Sequence, residues 1–263
     1  ERMAANPNIP TSVNKGLRRL IVKMLEKDPT KRPDAGQVLA DLNKAFPNPV
    51  SEVRWGLSFF GRLSIDGDGV MEQCYLKGLP PWEGRKRSVK SVKISSKVQS
   101  IGASAFSGCS SLKKAAIPDG SLSINRCAFF GSGLVEVRIP ANITSIGEYA
   151  FAGTQVKKVT LPPGLTAIEN GAFCECKSLA KVEVPSTLKT IGNYAFFECI
   201  KLTEIDLSGN LDSIGNKAFA RCCSLSVPRT RQGCIVHMDS FINCKRTGKL
   251  ILENGSKVLI VGN

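Results

Sequence analysis

The residues of this chain best suited to chemistry are its ten cysteines, its single histidine and one short acidic run. Cys174-x-Cys176 and the adjacent Cys222-Cys223 raise zinc, because thiolates bind that ion tetrahedrally. A structural zinc site draws on paired C-x2-4-C clusters at a suitable separation, and these cysteines do not form them. Asp66-Gly67-Asp68-Gly69 raises calcium. A calcium loop counted from Asp66 needs a glutamate at its twelfth position, and Lys77 stands there. The run therefore reads as a hairpin turn between alternating apolar residues. His237 lies beside Met238 with no spaced ligand set and reads as a structural or exposed residue. No catalytic, metal-binding or cofactor-binding residue is expected in the chain.

Half of the cysteines obey a different rule. Cys109, Cys176, Cys199, Cys222 and Cys244 each follow a phenylalanine by three residues, and Ser132 and Thr154 fill the same slot elsewhere. A slot shared by Cys, Ser and Thr calls for a small, weakly polar side chain in a tight space. Free thiols in a reducing compartment are the expectation.

That slot belongs to a sentence repeated through the chain. Phe106, Phe129, Phe151, Phe173, Phe196 and Phe219 fall 23, 22, 22, 23 and 23 residues apart. The copies share the pattern I-G-x-x-A-F-x-x-C, followed by L-x-x-L-x-L. Val89/Val92/Ile94, Leu112/Ala115/Ile117, Leu134/Val137/Ile139, Val156/Val159/Leu161, Leu179/Val182/Val184 and Leu202/Ile205/Leu207 fill the strand slots. Pro118, Pro140, Pro162 and Pro185 end four of the strands, since proline cannot donate to a ladder. A fixed period of this length is the signature of a leucine-rich-repeat solenoid. The phenylalanines point inward from a turn or short helix and should stack as an aromatic ladder. Residues 226–263 hold a worn seventh copy around Phe241 and Cys244. Asn254-Gly255 then lies between two apolar runs, a type I′ hairpin signal.

Residues 1–49 are of another kind. Val13, Leu17, Leu20, Ile21, Met24 and Leu25 form a 3,4-spaced stripe, ended by Asp28-Pro29. Asp34 caps a second helix that Pro47 stops. Two helices cannot bury these faces alone, so the segment needs a further surface. Its "LIVKMLEKDPTKRPDAGQVL" resembles the last stretch of a eukaryotic serine/threonine protein kinase domain. Leu20, Met24, Leu25, Asp28, Pro29, Arg32, Pro33, Ala35 and Leu39 carry the likeness. The resemblance implies a structural role for Asp28 and Arg32, the latter paired with a glutamate upstream of Glu1. The Gly-rich loop, the ATP-anchoring lysine and the catalytic aspartates of that family do not occur in the chain. ATP and magnesium would belong to an upstream parent kinase. With neither an initiator Met nor a signal pattern, Glu1 reads as the cut edge of a longer protein.

Over residues 55–245 the repeats resemble the BspA-like, Treponema-type leucine-rich repeats, including Pro81-Trp82 before the first copy. Ile124-Asn125 and Ile168-Glu169 depart from the pattern by lacking its glycine. The expected architecture is an α/β solenoid: a right-handed stack with a parallel β-sheet on its concave face. A β-hairpin cap over 50–88 precedes repeats over 89–245, and 246–263 form a C-terminal cap or a truncated continuation. Two kinase-like helices over 1–49 stand before them.

Such a fold points to a non-catalytic protein-interaction scaffold that targets or regulates the upstream kinase. Strand alternation turns Lys93, Lys114, Glu136, Arg138, Lys158, Thr160, Lys181, Glu183, Glu204 and Asp206 outward. They form a strip that is basic near the first copies and acidic at the last, suited to a protein or peptide of opposite polarity. A soluble, salt-bridged strand surface would carry the same residues. Net charge is +14, which raises nucleic acid or an anionic surface as an alternative partner. Residues 111–225 carry 12 basic and 10 acidic residues. The surplus thus lies on the flanks, densest at Arg85-Lys86-Arg87 with Lys90, Lys93 and Lys97 beyond, and nucleic acid is not expected. No run reaches the roughly 18 apolar residues of a membrane helix. The expectation is a cytoplasmic monomer, with the cell surface as the alternative that BspA-like repeats suggest.

Overall fold

The computed structural model describes residues 53–71, 79–226 and most of 228–245, with separate residues between 21 and 33 and two short strands near the end. The chain divides into two units, Glu1–Ser51 and Glu52–Asn263. In the first, Leu25 donates its N–H to the Ile21 carbonyl, one helical bond, and Met24 and Leu25 are exposed. The remainder of the two expected helices lies outside the described residues.

In the second unit each period of the sequence closes one turn of a solenoid. The strands begin with β1 (Arg54–Leu57), β2 (Arg62–Asp66), β3 (Gly69–Val70), β4 (Ser91–Ile94), β5 (Val98–Ile101), β6 (Lys114–Ala116) and β7 (Ser123–Ile124). They continue with β8 (Glu136–Arg138), β9 (Ser145–Ile146), β10 (Lys158–Thr160), β11 (Ala167–Ile168), β12 (Lys181–Glu183) and β13 (Thr190–Ile191). The last are β14 (Glu204–Ile205), β15 (Ser213–Ile214), β16 (Ile235–Val236), β17 (Leu250–Ile251) and β18 (Lys257–Val258). Strands from successive turns pair in parallel, Lys158 with Lys181 and Lys181 with Glu204, for example. The L-x-x-L-x-L strands form one wall, and shorter strands, most of two residues ending in isoleucine, form a second parallel wall. Backbone bonds at the phenylalanine corner, such as Phe151 N–H to the Ala172 carbonyl at 2.8 Å, tie the turns along a third side.

Two expectations need correction. The α/β class fails, because the repeat unit holds almost no helix: its phenylalanine corners are turns, and a short 3-10 helix spans Glu83–Ser88. Residues such as Tyr149, Tyr194 and Lys217 sit at positive φ there, which breaks any helical run. The hairpin at Asp66-Gly67-Asp68-Gly69 is also wrong. That run is a corner, because β2 pairs in parallel with β4 and β3 in parallel with β5. Residues 62–71 thus form a first turn of the solenoid, and the antiparallel pair β1–β2 folds back at Ser58–Gly61 instead. Strands β17 and β18 pair antiparallel, Leu250 with Val258 and Ile251 with Lys257. The Asn254-Gly255 turn between them lies outside the described residues.

The core is a stack of identical layers. Phe106, Phe129, Phe151, Phe173, Phe196, Phe219 and Phe241 are all buried. Their ring centroids lie 5.0–5.4 Å apart, and planes in the middle of the stack differ by 4°. Trp82 heads the ladder, 6.0 Å from Phe106, with its indole N–H donated to the Ala105 carbonyl at 2.6 Å. Glycine in the Ile-Gly pair has a close-approach cause. A Cβ on Gly192 would come within 2.7 Å of the Asn170 nitrogen, and one on Gly215 within 2.7 Å of the Asn193 nitrogen.

Beside the rings runs a second ladder. The thiols of Cys176, Cys199, Cys222 and Cys244 each donate to the carbonyl of the phenylalanine one turn earlier, at 3.0–3.1 Å. Burial pushes Cys109, Cys176 and Cys244 up to about 12 and raises Cys199 and Cys222 as well. Among the described residues no three His, Cys, Asp or Glu side chains cluster as metal ligands would. Among the described cysteines, exposed Cys223 should react first with an aromatic disulfide reagent. Cys109, Cys176, Cys199 and Cys222 should react at the rate of unfolding. Fast modification of those four in native protein, located by peptide mapping, would contradict the packing role.

Candidate interaction face

The ten residues of the strip are exposed or half-buried. On β6, β8, β10 and β12 the central residue, and on β14 Ile205, turns inward while its neighbours are exposed or half-buried, as period-two alternation requires. Parallel pairing then lines the outward residues into two columns. Ser91, Lys114 and Glu136 share one, followed by Lys158, Lys181 and Glu204. Ala116 and Arg138 are paired in the other, as are Thr160 and Glu183.

Within and between these columns charge pairs form from turn to turn. Lys114 meets Glu136, Lys158 meets Glu183 and Lys181 meets Glu204, each at 2.8 Å. Thr160 donates to the second Glu183 oxygen at 2.7 Å. Bonds from Lys158 and Thr160 hold the Glu183 carboxyl below its ordinary value, and Glu204 raises Lys181. Arg138 leaves the strip for Asp119 at 2.9 Å. The two ends differ. Lys93 has no carboxylate partner among the described residues, and Asp206 is lowered by hydrogen bonds from Ser208. Asp28 and Arg32 belong to the first unit.

The face is not uniform. Sheet pairing runs from β1 through β8, stops, and resumes from β10 to β14; the second wall stops likewise between β9 and β11. At this seam Val137 is only half-buried, whereas its equivalents Ala115, Val159, Val182 and Ile205 are buried. A groove of about 510 Å³ opens there, with Val137 and Ile139 in its floor. Arg138, Lys157 and Lys158 line it together with one carboxylate, Glu136. A second depression of about 680 Å³ lies over β12 and β14 against Pro228.

Residues the strip reading missed lie around it. Asn142 donates to the Asp119 and Ser121 carbonyls and so supports the Asp119 partner of Arg138. On the phenylalanine side, the Asn170 side-chain oxygen accepts from the Asn193 N–H, and that of Asn193 from the Asn216 N–H, both at 2.8 Å. The 23-residue spacing of these asparagines was the available signal.

The profile of the BspA type leucine rich repeat region matches six copies, over residues 84–176 and 122–247. The chain belongs to that family. Its repeats superpose on a leucine-rich repeat protein from Bacteroides ovatus with a TM-score of 0.58 and 27% identity, over 73% of this chain. The chain spans 55% of that protein's length. The T. pallidum leucine-rich repeat protein is 26% identical over 68% of this chain and 90% of its own, with a TM-score of 0.49. No curated protein matches the chain. As a BspA-type repeat, the unit is a leucine-rich-repeat solenoid, and no helix among the described residues is long and apolar enough to cross a membrane.

Proposed function

We propose that the repeat unit is a non-catalytic scaffold that holds a protein segment on its strand face. The observation that carries this reading is the seam between β8 and β10. It combines a half-buried apolar floor at Val137 and Ile139 with three cations and one carboxylate around it. At the same strand position in the other turns Ala115, Val159, Val182 and Ile205 are buried, and Lys114 and Lys181 pair with carboxylates of the next turn. At the seam Lys157 has no carboxylate partner among the described residues, while Arg138 and Lys158 sit in exposed pairs that solvent screens. An extended peptide with an apolar residue beside an acidic one matches this groove.

The upstream segment gives the scaffold something to direct. Residues 1–49 resemble the end of a kinase domain, and Asp28-Pro29 with Arg32-Pro33 carries that likeness. In this reading the repeats bring substrates or regulators to a kinase encoded before Glu1. The thiols bonded to phenylalanine carbonyls fit a reducing, cytoplasmic setting, and a cell-surface setting is the alternative.

Selection from a library of octapeptides is the test. Enriched sequences should pair Asp or Glu with an apolar residue, and the double substitution Arg138→Glu, Lys158→Glu should weaken them at least tenfold while leaving the thermal midpoint close to the parent. Lack of enrichment, or binding unchanged by those substitutions, sinks the proposal.

A further inference from the structure

The feature that the strand face leaves unexplained is the tip of the β1–β2 hairpin. Phe59 is 99% exposed and Phe60 is 81% exposed, their rings in edge contact with centroids 5.7 Å apart. Two neighbouring aromatic rings held in water oppose the main driving force of folding. Nothing in the turn requires them: Gly61 N–H bonds to the Ser58 carbonyl, and Arg62 N–H to the Ser58 hydroxyl. Backbone atoms, not the two rings, shape the tip.

Cations surround it. The Gly61 carbonyl accepts from the N–H groups of Lys90 and Ser91, at 2.8 and 3.3 Å. That contact packs the tip against the end of the 3-10 helix bearing Arg85, Lys86 and Arg87. Arg62 follows the tip directly and pairs with Ser91, and Lys93 lies two residues further along β4. Arg62, Arg85, Arg87, Lys90 and Lys93 have no carboxylate partner among the described residues. Glu83 is held by Lys86, and Asp66 and Asp68 stand at the opposite end of β2.

We propose that this tip docks the protein on an anionic lipid surface, Phe59 and Phe60 entering the interface while the surrounding cations meet lipid headgroups. Peripheral attachment needs two signals together, an apolar insertion and a basic patch, because either alone is weak. Both are present within one turn of chain. A protein partner fits the shape less well. A stable interface covers about 800 Å² on each side, whereas two rings offer roughly 150–250 Å² each and project from a narrow turn rather than lying on a face.

The test uses the whole 263-residue chain and vesicles of phosphatidylcholine with or without phosphatidylserine. The parent should sediment with phosphatidylserine vesicles, leave neutral vesicles unbound, and lose binding as salt rises. Phe59→Ser with Phe60→Ser should reduce binding at least tenfold with no change in the thermal midpoint. Arg85→Glu with Arg87→Glu should do the same. Equal binding by the phenylalanine variant would overturn the proposal, as would no binding of the parent at physiological salt. Concentration-dependent self-association abolished by the phenylalanine substitutions, without vesicle binding, would reassign the tip to a protein contact. None of these variants touches the seam groove, so loss of vesicle binding and loss of peptide binding are separable.

Discussion

Phe173→Ala should destabilise the repeat unit by about 3–5 kcal/mol, the cost of a large-to-small substitution in a rigid core. Phe173 is buried and stacks on both sides, 5.3 Å from Phe151 and 5.4 Å from Phe196. Removing the ring leaves a hole that neighbours cannot close, because each backbone turn is bonded to the next through the same corner, as in Phe173 N–H to the Ala195 carbonyl at 2.8 Å. In a solenoid stability is a sum of turns and the interfaces between them. One missing ring therefore weakens two interfaces at once. Phe241→Ala, whose ring stacks only on Phe219 among the described residues, should cost clearly less. Urea denaturation read by far-UV circular dichroism measures both. Equal losses at the two positions would show that the ladder does not transmit stability along the stack.

What was legible in the chain and what was not follows from how each feature is encoded. The phenylalanine and cysteine slots repeat the same residue type at one period, so the core ladder could be read directly. Trp82 heads that ladder with a different side chain, 24 residues before Phe106, and was read as part of a cap motif. The second wall is built of two-residue strands such as β7 and β9, too short for alternation to register. Asp66-Gly67-Asp68-Gly69 has the composition of a hairpin turn. The turn chemistry is local, whereas the direction of β3 is set by pairing with β5, which the local sequence does not contain. The strip residues were legible from alternation, but their partners were not. Lys158 reaches Glu183 diagonally across the register, and Arg138 takes Asp119 from a loop. The seam between β8 and β10 has no signal in the repeat, since those strands carry ordinary slot residues.

Alkaline pH should unfold this protein through its thiol ladder. Cys176, Cys199 and Cys222 are fully buried, and burial raises all three above the ordinary value of 9.0, Cys176 to about 12. Below pH 9 the thiols are neutral in both folded and unfolded chains, so the stability they contribute is fully present there. Above 9 the unfolded thiols ionise while the folded ones hold their protons, and stability is lost until the folded thiols, each raised by burial, titrate in their turn. Each such group costs about 1.4 kcal/mol per pH unit across that window. Three acting together remove about 4 kcal/mol per unit, against a typical total of about 5–15 kcal/mol. Lysine and tyrosine titration adds a background, which a control removes. In the triple variant Cys176→Ser, Cys199→Ser, Cys222→Ser the slot keeps a small polar side chain, as it does natively at Ser132. Hydroxyls do not ionise in this range. Urea midpoints between pH 7.5 and 10.5, measured with a non-thiol reductant, should fall much more steeply for the parent than for the variant. The comparison rests on slopes, so a difference in absolute stability between the two proteins does not disturb it. Parallel slopes would mean that the buried thiols ionise in place, and that the ladder is open to water at the carbonyls where the structure closes it.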